Sequence, residues 1–124
     1  MGVLQEGGEW KNVLSKLALH RRDQEDAMTG VELIAEERQR QVDVEGWTPG
    51  HDAEHMAGEL AGAARAYTHV AQLQVCRQTI SSNPPLSWPD WADEWWKPSD
   101  DPIRNLVKAG ALIAAEIDRL QRLR

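Results

Sequence analysis

Phenylalanine is absent from this chain of 124 residues, so its 41% hydrophobic content rests on Leu, Ala, Val, Ile and six tryptophans. That content suits a folded protein rather than a wholly disordered one, and the length suits a single domain. Cys76 is the only cysteine, which excludes an intrachain disulfide and a four-cysteine zinc site. Set inside a helix, it reads as a small hydrophobe rather than a nucleophile. No apolar run approaches the roughly 20 residues of a membrane-spanning helix, and no cationic start followed by an apolar core marks a secretory signal. No membrane partner and cytoplasmic residence are therefore expected. Basic side chains are also scarce, 14 against 20 acidic ones for a net charge of -6, and nonspecific binding to nucleic acid needs the opposite balance. Residues 1–60 hold 13 of the acidic side chains and 6 of the basic ones, a bias that can attract a basic partner or a divalent cation and equally serves as a solubilising surface.

The order of signals along the chain predicts an all-α fold, a small bundle of three main helices with a Trp/Pro-rich loop. Residues 1–27 read as an extension in which Trp10, Val13, Leu14, Leu17 and Ala18 recur at helical spacing, a short helix followed by a linker. Residues 28–124 read as the helical domain. Thr29 and Glu32 have the spacing of a capping box, opening a helix to about Val44 whose packed side is carried by Val31, Leu33, Ile34 and Val44. Glu37 and Gln41 fall on that same rhythm, and a carboxylate there needs an ion pair, hydrogen bonds or a metal. Thr48-Pro49 is a cap followed by a first helical position. It predicts a second helix from there, or from Asp52, to about Ile80, packed through Met56, Leu60, Ala63, Tyr67 and Val70. Residues 81–101 contain Pro84, Pro85, Pro89 and Pro98 and cannot form one helix. Trp88, Trp91, Trp95 and Trp96 should fold this loop onto the body, as core, or offer a stacking platform or partner-binding surface. The last helix begins at Asp101-Pro102 and carries the cleanest apolar stripe: Ile103, Leu106, Gly110, Ile113, Ile117 and Leu120. The two long helices should pack antiparallel, and any uncovered part of a stripe can make a homodimer.

The polar residues that stand out are His51, Asp52, His55 and Glu59. On one continuous helix, His51, His55 and Glu59 face one way, a pattern that can share a divalent ion, position a water or simply form His–carboxylate hydrogen bonds. If Glu37 came opposite them, Glu37, Asp52 and Glu59 would make an oxygen-rich set suited to Mg²⁺ or Mn²⁺, with His55 and Glu59 as catalytic groups in attack of water on a nucleotide diphosphate. Lys108, Arg38 or Arg65 would then answer phosphate charge. The same carboxylates equally fit solvated faces. No phosphate-binding glycine loop, dinucleotide fingerprint or nucleophile elbow is present.

The run from Ile34 to Tyr67, with EGWTPGHDAEH at Glu45–His55, and the C-terminal KAGALIAAEIDRL at Lys108–Leu120 resemble a family of small uncharacterised bacteriophage and prophage proteins. The resemblance covers about residues 29–124, and its members often start at the position of Met28. Gly50 and Ala53 depart from acidic residues common in that family. The resemblance implies an accessory protein that acts by protein–protein interaction on a host or phage partner, as a modulator or inhibitor of a host system. A looser similarity to all-α nucleoside triphosphate pyrophosphohydrolases implies the metal-dependent hydrolase as an alternative, although the paired E-x-x-E and E-x-x-D motifs are missing in standard form. A small-nucleotide-binding sponge is the third reading.

Overall fold

The computed structural model describes residues 27–55 and 57–124; the N-terminal helix around Trp10–Ala18 and the packing position Met56 lie outside the described residues. Among these residues the fold is all-α: α1 (Gly30–Asp43), a single turn α2 (Pro49–Asp52), α3 (Glu59–Val75) and α4 (Pro102–Arg122), with a 3-10 turn at Asp93–Trp95. The chain divides into two compact units at Leu33/Ile34, a boundary that falls inside α1. Of the first unit only Ala27–Leu33 is described, and there the capping box forms as the sequence predicts. The Glu32 amide donates to Thr29 Oγ1 at 3.2 Å and the Thr29 amide to Glu32 Oε1 at 3.1 Å.

The second unit, Ile34–Arg124, is built on α3 against α4. Alanines carry the contact: Ala63, Ala64, Ala66 and Ala71 on α3 and Ala109, Ala111 and Ala115 on α4 are buried, with Leu60, Val70 and Leu112 filling the space between. Such small side chains let helix backbones approach closely. Gln74, near the end of α3, accepts from the Asn105 amide near the start of α4 at 2.9 Å, so the two helices run antiparallel. Asn105 is fully buried and also receives the Ser99 amide at 2.8 Å, which ties the end of the Trp loop to both helices. α4 opens as predicted, on Asp101 and Pro102, with Asp101 Oδ1 accepting from the Ile103 amide at 2.9 Å. Asp101→Ala should remove about 1 kcal/mol of stability, read as a lower urea midpoint at unchanged slope.

Three expectations are corrected. The second helix does not run unbroken from Pro49 to Ile80. It stops at Asp52, with Ala53 as its C-cap, and restarts at Glu59, where Gly58 with a left-handed φ of 83° stands as the cap immediately before the new helix. It then ends at Val75, where Arg77 adopts φ 55° and the Gln78 amide turns back to the Leu73 carbonyl at 2.9 Å. On α1, Val31 and Val44 are exposed, Leu33 and Ile34 are half-buried with Ile34 against Gly110 of α4, and Glu37 and Gln41 are buried, so polar residues hold the most enclosed positions of this helix. On α4 the predicted stripe is left outside: Ile103, Leu106, Ile113, Ile117 and Leu120 are 46–59% exposed. The alanine face won the contact with α3, because only small residues permit that close an approach.

The Trp loop does fold onto the body. Trp96 is buried with its ring 4.8 Å from Tyr67, and Trp88 stands edge-on to both, at 5.1 Å from Trp96 and 6.0 Å from Tyr67. Gly62 on α3 makes this possible, since a side chain there would meet the Ser87 carbonyl oxygen at 2.6 Å.

Candidate functional site

The buried carboxylates have internal cationic partners. Glu37 receives Arg40 Nε at 2.7 Å and Arg104 at 2.6 Å, and Arg40 also reaches Glu45 at 3.1 Å. Burial pushes the Glu37 carboxyl up, but the two guanidiniums outweigh it and hold it below the ordinary glutamate value. Asp52, whose side chain is 1% exposed, pairs with Arg38 at 2.5 Å, and Arg38 also donates to the Trp47 carbonyl at 3.1 Å. Arg38 is therefore a bracket between α1, Trp47 and α2 rather than a free cation. Glu59, at the first turn of α3, is held below the ordinary glutamate value by its own backbone amide and by the Ala57 amide, which donates to it at 2.9 Å. Among the described residues no group of three or more His, Cys, Asp or Glu side chains is gathered to hold a metal ion, so Glu37, Asp52 and Glu59 do not form the oxygen-rich set. The break at Gly58 also takes Glu59 off the helix that carries His51.

What the structure brings together is aromatic. Gly46, with φ 75°, ends α1, and the Trp47 amide turns back to the Gln41 carbonyl at 2.9 Å. Thr48 then caps α2 and presents His51, whose ring lies nearly parallel to Trp47 with centroids 6.5 Å apart. His55 stands edge-on to His51 at 4.8 Å and 5.1 Å from Trp91. Together with Trp95, Leu60 and Glu45 they enclose a pocket of about 300 Å³. Nδ1 of His51 and Nε2 of His55 are buried without a hydrogen-bond partner, and His51 Nδ1 stands 3.7 Å from Asp52 Oδ1, so the two histidines give the pocket ring faces and edges rather than these nitrogens.

A second, smaller cavity of about 40 Å³ shares Glu45, Trp47 and Trp95 with the first. Its charged lining is Arg40, Lys97 and Lys108 against Glu37 and Glu45, a cationic excess in a chain whose overall charge is -6. Lys108 donates to the Lys97 carbonyl at 2.6 Å and lies over the Tyr67 ring at 5.4 Å; its burial, with Arg104 nearby, pulls its ammonium below the ordinary lysine value. Lys97 Nζ lies 5.6 Å from the Trp95 ring centroid. Burial pushes the Tyr67 hydroxyl up, and that hydroxyl accepts from the Lys97 amide at 3.3 Å.

The four tryptophans read as one surface thus have two placements. Trp88 and Trp96 belong to the core packing around Tyr67, while Trp91 and the 47% exposed Trp95 line the pocket. His51 and His55 meet there, and Lys108 lines the cationic cavity. Trp47, Arg40 and Lys97 were not singled out from sequence, although Trp47 lies within the EGWTPGHDAEH run. No helix among the described residues is long and apolar enough to cross a membrane. Comparison with protein-family models, with curated proteins and with solved structures gives no match to this chain.

Proposed function

We propose that this chain is a small-nucleotide-binding protein in which the aromatic pocket takes the base and the adjoining cationic cavity takes phosphate. The observation that carries the reading is the shared wall. Trp47 and Trp95 border both a pocket lined by indole and imidazole rings and a cavity lined by Arg40, Lys97 and Lys108, where Glu37 and Glu45 take up Arg40 and leave the two lysines as the ammonium groups for a phosphate. Stacking on indole suits any flat base, the imidazole rings of His51 and His55 add flat surface beside it, and ammonium groups suit a phosphate. A base without phosphate uses only the first part of the site, and free phosphate only the second. The resemblance to prophage proteins fits an accessory role in which a nucleotide is captured. The alternative in which the Trp loop contacts a host protein has fewer exposed indoles to work with, since Trp88 and Trp96 are spent on the core.

Titration of tryptophan fluorescence with nucleoside mono-, di- and triphosphates, the matching nucleosides and inorganic phosphate tests this. Nucleotides should bind more tightly than nucleosides or phosphate alone. Trp95→Ala should weaken nucleotide binding roughly tenfold, as expected for loss of one stacking surface, while Lys97→Met should reduce the preference for nucleotide over nucleoside. Absence of nucleotide binding by the folded protein, or equal affinity for nucleoside and nucleotide, overturns the assignment. Phosphate release in the same samples with Mg²⁺ or Mn²⁺ would instead favour the hydrolase.

A further inference from the structure

The outer face of α4 is built to meet another helix. Ile103, Leu106, Gly110, Ile113, Ile117 and Leu120 alternate three and four residues apart, the seam spacing of a coiled coil sustained along a helix of 21 residues. All but Gly110 are at least 46% exposed, because α3 takes the alanine face on the other side. Gly110 is the low point of the stripe, and there Ile34 of α1 supplies apolar volume, its Cδ1 lying 2.5 Å from where a β-carbon would stand. A row of aliphatic side chains this regular is more than scattered surface hydrophobicity.

We infer that α4 pairs with α4 of a second copy of this chain, antiparallel, to form a homodimer. Charge selects both the partner and the direction. Asp100 and Asp101 stand at the start of α4, where Arg104 is taken up by Glu37, and Arg122 and Arg124 stand at its end against the single carboxylate of Asp118, Arg119 and Glu116 being paired with each other. Antiparallel pairing brings the acidic end of each copy to the basic end of the other, whereas parallel pairing sets like charges together. The same direction places the partial positive charge of one helix start beside the partial negative charge of the other helix end. The seam agrees with it in register: Ile103 comes opposite Leu120 of the second copy, Leu106 opposite Ile117, and Gly110 opposite Ile113. In each central layer Ile113 of one copy meets Gly110 of the other together with the Ile34 side chain that already lies against it, and the two central layers are identical, as two-fold symmetry requires. The nucleotide reading uses other residues and is independent of this pairing.

The full chain should sediment as a dimer, with a monomer appearing on dilution. Ile113→Glu and Ile117→Glu, both at exposed positions, should give a folded monomer with unchanged helical circular dichroism. Direction is tested in a Cys76→Ser background, where a mixture of Leu106→Cys and Ile117→Cys chains should cross-link to each other and Leu106→Cys alone should not. A monomer at every concentration overturns the proposal. So does a monomer that Ile113→Glu destabilises, since the face would then be covered by another part of the same chain. Cross-linking of Leu106→Cys to itself overturns the antiparallel arrangement.

Discussion

Arg38→Ala is expected to cost about 3 kcal/mol, the lower end of the range for breaking a buried ion pair, and to lower the melting temperature by about 10 °C or more. The reason lies in what remains. Asp52 is enclosed, and its Oδ1 already lacks a hydrogen-bond partner; without Arg38 the other oxygen loses its charge partner as well. His51 remains beside it, with Nδ1 3.7 Å from Asp52 Oδ1. Stability should recover in large part when Asp52→Asn is added to Arg38→Ala, because the second change removes the charge that the first one strands. A full cycle with both single variants, measured by urea unfolding, separates this coupling from loss of the Arg38–Trp47 hydrogen bond. Equal stability of Arg38→Ala and the native chain would mean that Asp52 reaches water and that the bracket between α1 and α2 is not formed.

The second large effect is expected at Gly62. Gly62→Ala places a β-carbon 2.6 Å from the Ser87 carbonyl oxygen, and that atom belongs to the backbone of the Trp loop, so relief requires the loop to lift. Overpacking of this kind costs about 1–3 kcal/mol, against which the better helix propensity of alanine returns about 1 kcal/mol. A net loss of about 1–2 kcal/mol is expected. The internal control is Gly110→Ala on α4. There the obstruction is the side chain of Ile34, which can change rotamer, so the loss should be smaller. Thermal unfolding of the two variants side by side checks the ranking, and a shift in tryptophan emission confined to Gly62→Ala would locate the disturbance in the loop. If Gly110→Ala is the more destabilising, the close approach of Ser87 to α3 is wrong.

Local signals in the sequence translated well. Thr29 with Glu32, Thr48 with Pro49 and Asp101 with Pro102 each start a helix where they stand, because a cap needs only neighbours a few residues away. Which face of a helix is covered was harder to read. Periodicity identifies the aliphatic stripe of α4, but the contact with α3 went to the alanines, and that choice depends on how closely two backbones can approach. The polar site residues show the same limit. Burial of Glu37 has a visible trace in its position on the apolar rhythm of α1, but its partner Arg104 is 67 residues away and nothing local announces the pair. Gly58 was the available sign that His51 and Glu59 do not share a helix, since its left-handed conformation stands immediately before the helix that Glu59 opens.

Trp91 stands 5.3 Å from the core ring of Trp88 on one side and 5.1 Å from the pocket ring of His55 on the other. One indole is thus both a buttress of the interior and a wall of the cavity. Any change of shape at this position acts on fold integrity at the same time, so variants that widen the cavity through Trp91 also lose packing around Tyr67. Trp95, which is not part of that stack, is the wall that can diversify without this conflict.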